Sequence, residues 1–388
     1  MRVLIYEPTG WGSHFYYVKS LWQQLVSLAE ETAEITVLSC SDCQHPAYSN
    51  ALIKLKYEGR FDWPLLGRIL RKLDRLWKIS LNYWRLGRYI RKRRIDIVHF
   101  QVLHKIYLPY LTALKWLIGF KIVFTPHNIR SHYTGKVIHN TLDLLFFKCF
   151  KGVIDCCVAH TLYHHQQLML QGISADRIAV IPFAPHMVGK ADSSRREYDS
   201  VLFAGNLRKN KGIDFFLDAL SILAQRLKDA DRAVKIWFAG RTRDQDIIGR
   251  IERLKGNARN LEIDFDNRYI DHTAFGNYFN RAFILVLPYT QAFHSLSAVL
   301  LDGYYYDNEL IVTDVAGNGE LVKADDTGYL ISPENAPQIA EKIYYALRAG
   351  PNKYFSRNKR KALRKKYNWP TIARQTMEVY KTVCREMK

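Results

Sequence analysis

Acidic side chains are scarce in this chain. Its 388 residues hold 37 Asp and Glu against 57 Lys and Arg, a formal charge of +20. Such a balance excludes an acidic, solvating chain and points to anionic partners: phosphates, nucleic acid or acidic lipid. Long apolar runs are missing as well. The most membrane-like stretch, YLPYLTALKWLIGFKIVF, is interrupted by Pro109, Lys115, Gly119 and Lys121. A spanning helix tolerates that set poorly, so a helix followed by a strand is expected there. The opening MRVLIYEPTG has only a short apolar run before Glu7 and Pro8, and reads as a strand and its loop rather than a secretory leader. Six cysteines are present, and only Cys40 and Cys43 form a CxxC, with His45 nearby. Without a second pair this is weak zinc evidence, and a strand-end loop is the expectation. Reduced thiols and a cytoplasmic location follow from these absences. No short repeat, low-complexity tract or nucleic-acid recognition module occurs, so nucleic acid is set aside as a partner.

What the chain does have is 48% apolar residues, enough for a globular protein too long for one ordinary core. VLIY, EITVLSC, IDIVHF, KIVFT, VIDCCVA and IAVIPF are strand-length apolar runs separated by helical patterns such as FYYVKSLWQQLVSLAE. The second half repeats the scheme with SVLFAG, VKIWFAG, LEIDF, FILVLPY and LIVTDV. Continuous apolar runs suit parallel strands covered by helices on both faces. The fold class expected is α/β, with two doubly wound, Rossmann-like domains facing a central cleft. The polar run around Ala191 serves as linker, giving domains over 1–188 and 199–365. A helix over 366–388 is expected to return to the first domain.

In doubly wound sheets ligands bind past the carboxyl ends of the strands. Past SVLFAG comes the loop NLRKNKG, with Asn206, Arg208, Lys211 and Gly212. Glycines allow a tight turn, and the cations suit a diphosphate, although the GK[ST] ending of a Walker loop is missing. EPTGWGSHFYY puts Gly10 and Gly12 before a helix whose N-terminus could receive a phosphate or sugar. KIVFTPHNIRSH presents His127 and Asn128 at a strand end. His14 and His104 are the acceptor-side candidates of the first domain. HSLSAVLLD sets His294 eight residues before Asp302, just after FILVLPY. Asp264 and Asp266 could hold a metal on a diphosphate, but a solvated strand-end loop is the expectation, and no metal is assigned. Between Arg60 and Arg94 lie twelve Lys or Arg and two Asp. There Leu66, Ile69, Leu70, Leu73 and Trp77 share one helical face, against Arg68, Arg71, Lys72, Arg75 and Lys78. Such a basic amphipathic helix suits an anionic membrane surface, here the inner face of the plasma membrane. Packing of its apolar side on the first domain is the alternative.

In their order these stretches resemble the retaining GT-B glycosyltransferases of family four, over nearly the whole chain. GNLRKNKG is similar to the family's glycine–basic–lysine–glycine loop, and PHNIRSH to its first-domain histidine motif. LPYTQAFHSLSAVLLDGYYYDNELIVTDVAGNGELV is similar to the block with two glutamates eight positions apart. TGYLISPE and NWPTIARQTMEVY continue the match. The resemblance implies metal-independent transfer of a hexose from a nucleotide-diphosphate sugar, UDP-glucose being the first choice, to a lipid-linked or polysaccharide hydroxyl. No cofactor beyond the donor is implied. It casts Arg208 and Lys211 as the diphosphate clamp, with Asn206 where many members carry arginine. Ser297, Ala298 and Val299 become amide donors to phosphate, Gly12 the loop near the donor, and His127 the histidine beside the reacting sugar. His294 falls on the first glutamate, a sugar contact, and Asp302 on the second, a ribose ligand. With both glutamates replaced, a degenerate binding or membrane-associated assembly protein stays open, as does a sugar-nucleotide epimerase on the same scaffold.

Overall fold

The computed structural model describes residues 1–10, 12–29, 32–41, 43, 45, 47–52, 64–127, 145–186, 189–228, 233–351, 354 and 356–385. The side chains of 13, 50, 64–69, 272 and 273 are not among what it describes. Asn128, residues 60–63 and the side chains of Leu66, Arg68 and Ile69 therefore lie outside the described set.

The first sheet has seven strands: β1 (Arg2–Glu7), β2 (Glu34–Cys40), β3 (Ser49–Leu52), β4 (Ile97–Phe100), β5 (Lys121–Phe124), β6 (Cys156–Ala159) and β7 (Ile178–Val180). Their order is β3-β2-β1-β4-β5-β6-β7, with every pairing parallel. The second sheet follows with β8 (Glu197–Ala204), β9 (Val234–Ala239), β10 (Leu261–Asp266), β11 (Ala282–Leu287), β12 (Glu309–Thr313) and β13 (Gly328–Ile331). It is again all parallel, in the order β10-β9-β8-β11-β12-β13. Two doubly wound domains are thus present, and the central strands are buried along their length, β4 and β11 completely. Helices on both faces leave such strands no solvated side, which is why they read as unbroken apolar runs.

The outer strands escape that pattern: β3, SNAL, and β7 flank the first sheet, and β10, LEIDFD, and β13, GYLI, the second. An edge strand pairs on one side only and keeps a partly wet face, so β13 alternates buried and half-buried residues instead of presenting an apolar run. The polar stretch around Ala191 contains a 3-10 turn at Ser193–Arg195, and β8 begins at Glu197.

The strand order reverses between β1 and β4 in the first sheet, and between β8 and β11 in the second. At such switch points the flanking loops diverge and open a crevice. The last helix, Trp369–Arg385, lies on the first domain: Tyr380 reaches His99 at 2.7 Å, and the Trp369 indole donates to the Pro185 carbonyl at 3.0 Å. One apolar cluster runs from Val18 and Leu21 through Ile372 and Met377 to Leu285 and Leu300, so both domains and the last helix share packing.

Candidate active site

The second-domain wall starts where β8 stops. Gly205 has φ +95, and a Cβ there would lie 2.8 Å from Lys211 Nζ and 3.7 Å from a Val299 methyl. Gly212 has φ +72, and its Cβ would fall 1.7 Å from the Pro288 carbonyl oxygen. Gly205 needs glycine for its left-handed backbone, and Gly212 for that and for the close approach of the Pro288 carbonyl. Between them Lys209–Lys211 makes one 3-10 turn, then helix Ile213–Arg226 begins. The Lys211 ammonium also sits 5.4 Å from the centre of the Tyr289 ring. Tyr289 in turn hydrogen-bonds Ser297 Oγ at 2.9 Å. Lys211 therefore stands beside the N-terminus of helix Ala298–Tyr306, where unpaired amides and the helix dipole add positive potential. The Ser297 amide is already taken, donating to Asn318 Oδ1 at 2.8 Å. Those of Ala298 and Val299 have no partner among the described residues. Asn206 and Arg208 are exposed on the same loop, and neither Arg208 nor Lys211 has an acidic partner among the described residues. Asp266, at the end of β10, is occupied by Arg268 at 2.7 Å and the Tyr278 hydroxyl at 2.8 Å.

The first-domain wall is built of histidines. Glu7 ends β1 and accepts from the Gly10 amide at 2.7 Å and from Thr9, holding the glycine loop in place. Burial pushes the Glu7 carboxyl up, partly offset by those bonds. Gly10 has φ +67, and a Cβ there would strike Cys40 Sγ at 2.5 Å; Cys40 and Cys43 are both buried against this loop. Gly12, φ +75, opens helix Gly12–Ala29 with free space around it. The first turn of this helix sets the His14 ring 4.5 Å from His127, and Tyr17 lies 4.7 Å from it. His160, just past β6, lies 5.3 Å from His127 on another side. His127 Nε2 bonds Gln101 Oε1 at 2.9 Å. Desolvation, with further repulsion from His14, His160, His99 and His186, holds His127 well below the usual imidazole range. Desolvation likewise takes His99 to about 3 and His160 to about 4, and lowers His14. At neutral pH the wall is uncharged, a ring of donors and acceptors. His104 stands apart: its amide donates to the Tyr83 hydroxyl at 3.0 Å, its ring faces Tyr83, and burial lowers its pKa to about 4.

The two walls meet. Ser295 Oγ donates to the His127 carbonyl at 2.8 Å, and His294 Nδ1 lies 3.4 Å from the Tyr163 hydroxyl. Glu320 accepts from the amides of Leu162 and Tyr163 at 2.8 and 2.6 Å, at the start of helix Leu162–Leu170. Asp302 is 3% exposed and accepts from the His186 amide at 3.1 Å; burial lifts its carboxyl to about 7. The structure thus brings together Gly12, His14, His127, His294, Ser297, Ala298, Val299 and Lys211 around one cleft. Asp302 sits behind its wall, and His104 does not join. Gln101, His160 and His186 belong to the walls but carry no motif, and Asn318 and Glu320 belong to them from within the block that ends AGNGELV. His160 and Gln101 stand just past β6 and β4, so the strand-end rule that found His127 applies to them equally.

Among known proteins, residues 18–183 match the model of Glycosyltransferase Family 4, and residues 198–349 that of Glycosyl transferases group 1. An uncharacterized 41.2 kDa protein in the cps region of Klebsiella pneumoniae is 21% identical over 71% of this chain and 74% of its own. Sucrose-phosphate synthase from Thermosynechococcus elongatus superposes with a TM-score of 0.72 at 18% identity, covering 99% of both chains. The HepE protein of Anabaena, solved with UDP and with UDP-glucose, gives TM-scores of 0.66 and 0.63 at 14% and 13% identity, covering 98% of this chain and 100% of its own. Two family models that together span most of the chain, laid on two doubly wound domains closed around a cationic loop, place this chain in the GT-B glycosyltransferases of family 4.

Proposed function

We propose that this glycosyltransferase moves a hexose from a UDP-sugar, UDP-glucose first among them, to a hydroxyl of a lipid-linked or polysaccharide acceptor, with retention and without a metal. The observation that carries this reading is Lys211. Its ammonium has no acidic partner among the described residues and stands between Gly205, Tyr289 and the open N-terminus of helix Ala298–Tyr306. A leaving diphosphate gains negative charge as the sugar becomes oxocarbenium-like, and fixed positive charge there lowers the barrier. Lys211, Arg208 and the Ala298 and Val299 amides supply that charge where another enzyme would use a metal. Glu7, Asp302 and Glu320, the carboxylates of the cleft walls, are each held by backbone amides. None is placed as a nucleophile, so the acceptor attacks on the leaving-group side, with a diphosphate oxygen taking its proton. His127, neutral at work, orients a sugar hydroxyl. The UDP-glucose complex of HepE, on the same fold, supports the choice of donor.

Incubating the pure protein with a panel of UDP-, GDP- and ADP-sugars and following released nucleotide and sugar tests this. Slow hydrolysis of one UDP-sugar with the anomeric configuration kept is expected. Lys211→Ala should weaken UDP binding by about tenfold to a hundredfold, the loss of one charge-assisted contact. A 2-epimer product would instead mark an epimerase. Tight UDP binding with no turnover on any acceptor would mark a degenerate binding protein.

A further inference from the structure

A hydrogen-bonded chain ties the histidine wall to the last helix. Gln101, directly after β4, is buried; its side-chain oxygen lies 2.9 Å from His127 Nε2 and its side-chain nitrogen 3.1 Å from His99 Nε2. An amide oxygen only accepts and an amide nitrogen only donates. The first bond therefore puts a proton on His127 Nε2. The second needs a lone pair on His99 Nε2, where the Thr125 hydroxyl also points at 2.7 Å. A neutral His99 then carries its proton on Nδ1 and donates it to the Tyr380 hydroxyl at 2.7 Å. His99, Gln101, Thr125 and Tyr380 are buried, and His127 is half-buried. Turning the amide over would demand the opposite tautomer of both rings, so the tautomers report the sense of the relay.

We propose that Gln101 is a positioning residue: backed by His99 and Tyr380, it fixes the His127 proton on Nε2 and leaves Nδ1 as an acceptor for a hydroxyl of the sugar substrate. Nδ1 has no partner among the described residues. The substrate half of this assignment rests on the transferase reading above; the tautomer half does not. Among the described residues, the groups facing His127 are His14 and Tyr17 from helix Gly12–Ala29, His160 past β6, His99 from β4 and Gln101 just after it, and His186 from the stretch between domains. No carboxylate is among them, so nothing there favours the imidazolium. A weakly basic imidazole accepts a hydrogen bond without removing the proton, which suits orientation of a hydroxyl rather than its activation.

Ring ¹⁵N spectra of the full-length, histidine-labelled protein at pH 7.5, without substrate, give the direct test. The His127 signal is assigned by its loss in His127→Gln. The wild type should show the Nε2–H form. Gln101→Leu should convert it to a mixture, and Tyr380→Phe should do so in part. Gln101→Glu should keep Nε2–H and raise the pH at which His127 titrates, because a carboxylate would then face the ring. An Nδ1–H form in the wild type, or a spectrum indifferent to all three substitutions, overturns the relay. In turnover of a UDP-sugar, Gln101→Leu should lower kcat by about tenfold with UDP affinity unchanged, and Gln101→Glu should recover part of it. Equal kcat in wild type and Gln101→Leu overturns the positioning role. If the wild type turns over no nucleotide sugar, the transferase reading falls and with it the substrate hydroxyl, while the spectra still decide the relay.

Discussion

Single residues in this protein are costly wherever a polar ring is buried without a partner. His164, inside helix Leu162–Leu170, is buried with neither ring nitrogen hydrogen-bonded among the described residues, and its pKa falls to about 3 by desolvation and by repulsion from His160. An unmet buried polar group costs about 1–3 kcal/mol. His164→Leu should therefore stabilise the protein against urea, by more at pH 5 than at pH 7.5, because the native His164 also resists the proton its unfolded form takes up. A urea series at both pH values checks this, and a destabilised variant would mean that the ring has a partner in solution. Residue-level legibility was uneven. Lys211 and Gly212 could be singled out because glycine suits a tight turn past a strand end, although a basic residue in such a loop is as often simply solvated. Asp302 could be found but not placed: its eight-residue spacing from His294 says nothing of the His186 amide that closes over it. Glu320 could not be found at all, since its partners are 158 and 157 residues away in sequence.

At the scale of elements, that same carboxylate joins the domains. Helix Leu162–Leu170 has its His164 amide capped by Thr161, while its Leu162 and Tyr163 amides are taken by Glu320 of the other domain. A carboxylate at a helix N-terminus gains from both the bonds and the dipole. Glu320→Ala should loosen the closed cleft, seen as a larger radius of gyration by X-ray scattering in the free protein and restored by a bound UDP-sugar. An unchanged radius would show that the shared apolar cluster alone holds the domains. Helix Pro64–Arg93 raises the other element-scale question, because sequence periodicity left its apolar face either packed or wet. Leu73 and Trp77 are 57% and 62% exposed, while Ile79, Tyr83, Leu86 and Ile90 farther along are buried. The described first-domain contact thus falls in the helix's second half, and Leu73, Leu76 and Trp77 form an open apolar face among exposed Arg71, Lys72 and Arg75. Trp116, on neighbouring helix Leu108–Ile118, is 85% exposed. No helix among the described residues is long and apolar enough to cross a membrane. Surface docking on anionic lipid is the use we propose for this face. The protein should sediment with vesicles containing phosphatidylglycerol and not with pure phosphatidylcholine, and Trp77→Ser with Leu73→Ser should reduce that binding several-fold.

For the whole molecule, the histidine wall makes stability depend on pH, and the direction can be worked out. His99, His160 and His164 have folded pKa values of about 3, 4 and 3, against 6.5 for an unperturbed imidazole. Between pH 6.5 and about 4 the unfolded chain holds three protons on these rings that the folded chain refuses. Their contribution is complete above pH 6.5 and is lost as the pH falls. Asp302 works in the opposite sense. With a folded value of about 7 against 3.8 unfolded, it costs stability above pH 7 and returns it on acidification. His14, His104 and His127 shift in the same direction as these three, and Glu7 joins Asp302 on the other side, so over the shared window the unfolded state takes up the net excess. Stability should fall by about 1–3 kcal/mol for each pH unit below 6.5. Urea midpoints measured from pH 8 to pH 4.5 at constant ionic strength should be flat near neutrality and drop steeply below pH 6.5. Asp302→Asn should steepen that drop, because its opposing contribution is then gone, while His164→Leu should soften it. A midpoint that rises on acidification would mean that the wall histidines are already charged in the folded protein. The neutral first-domain wall on which the His127 orientation depends would then be wrong as well.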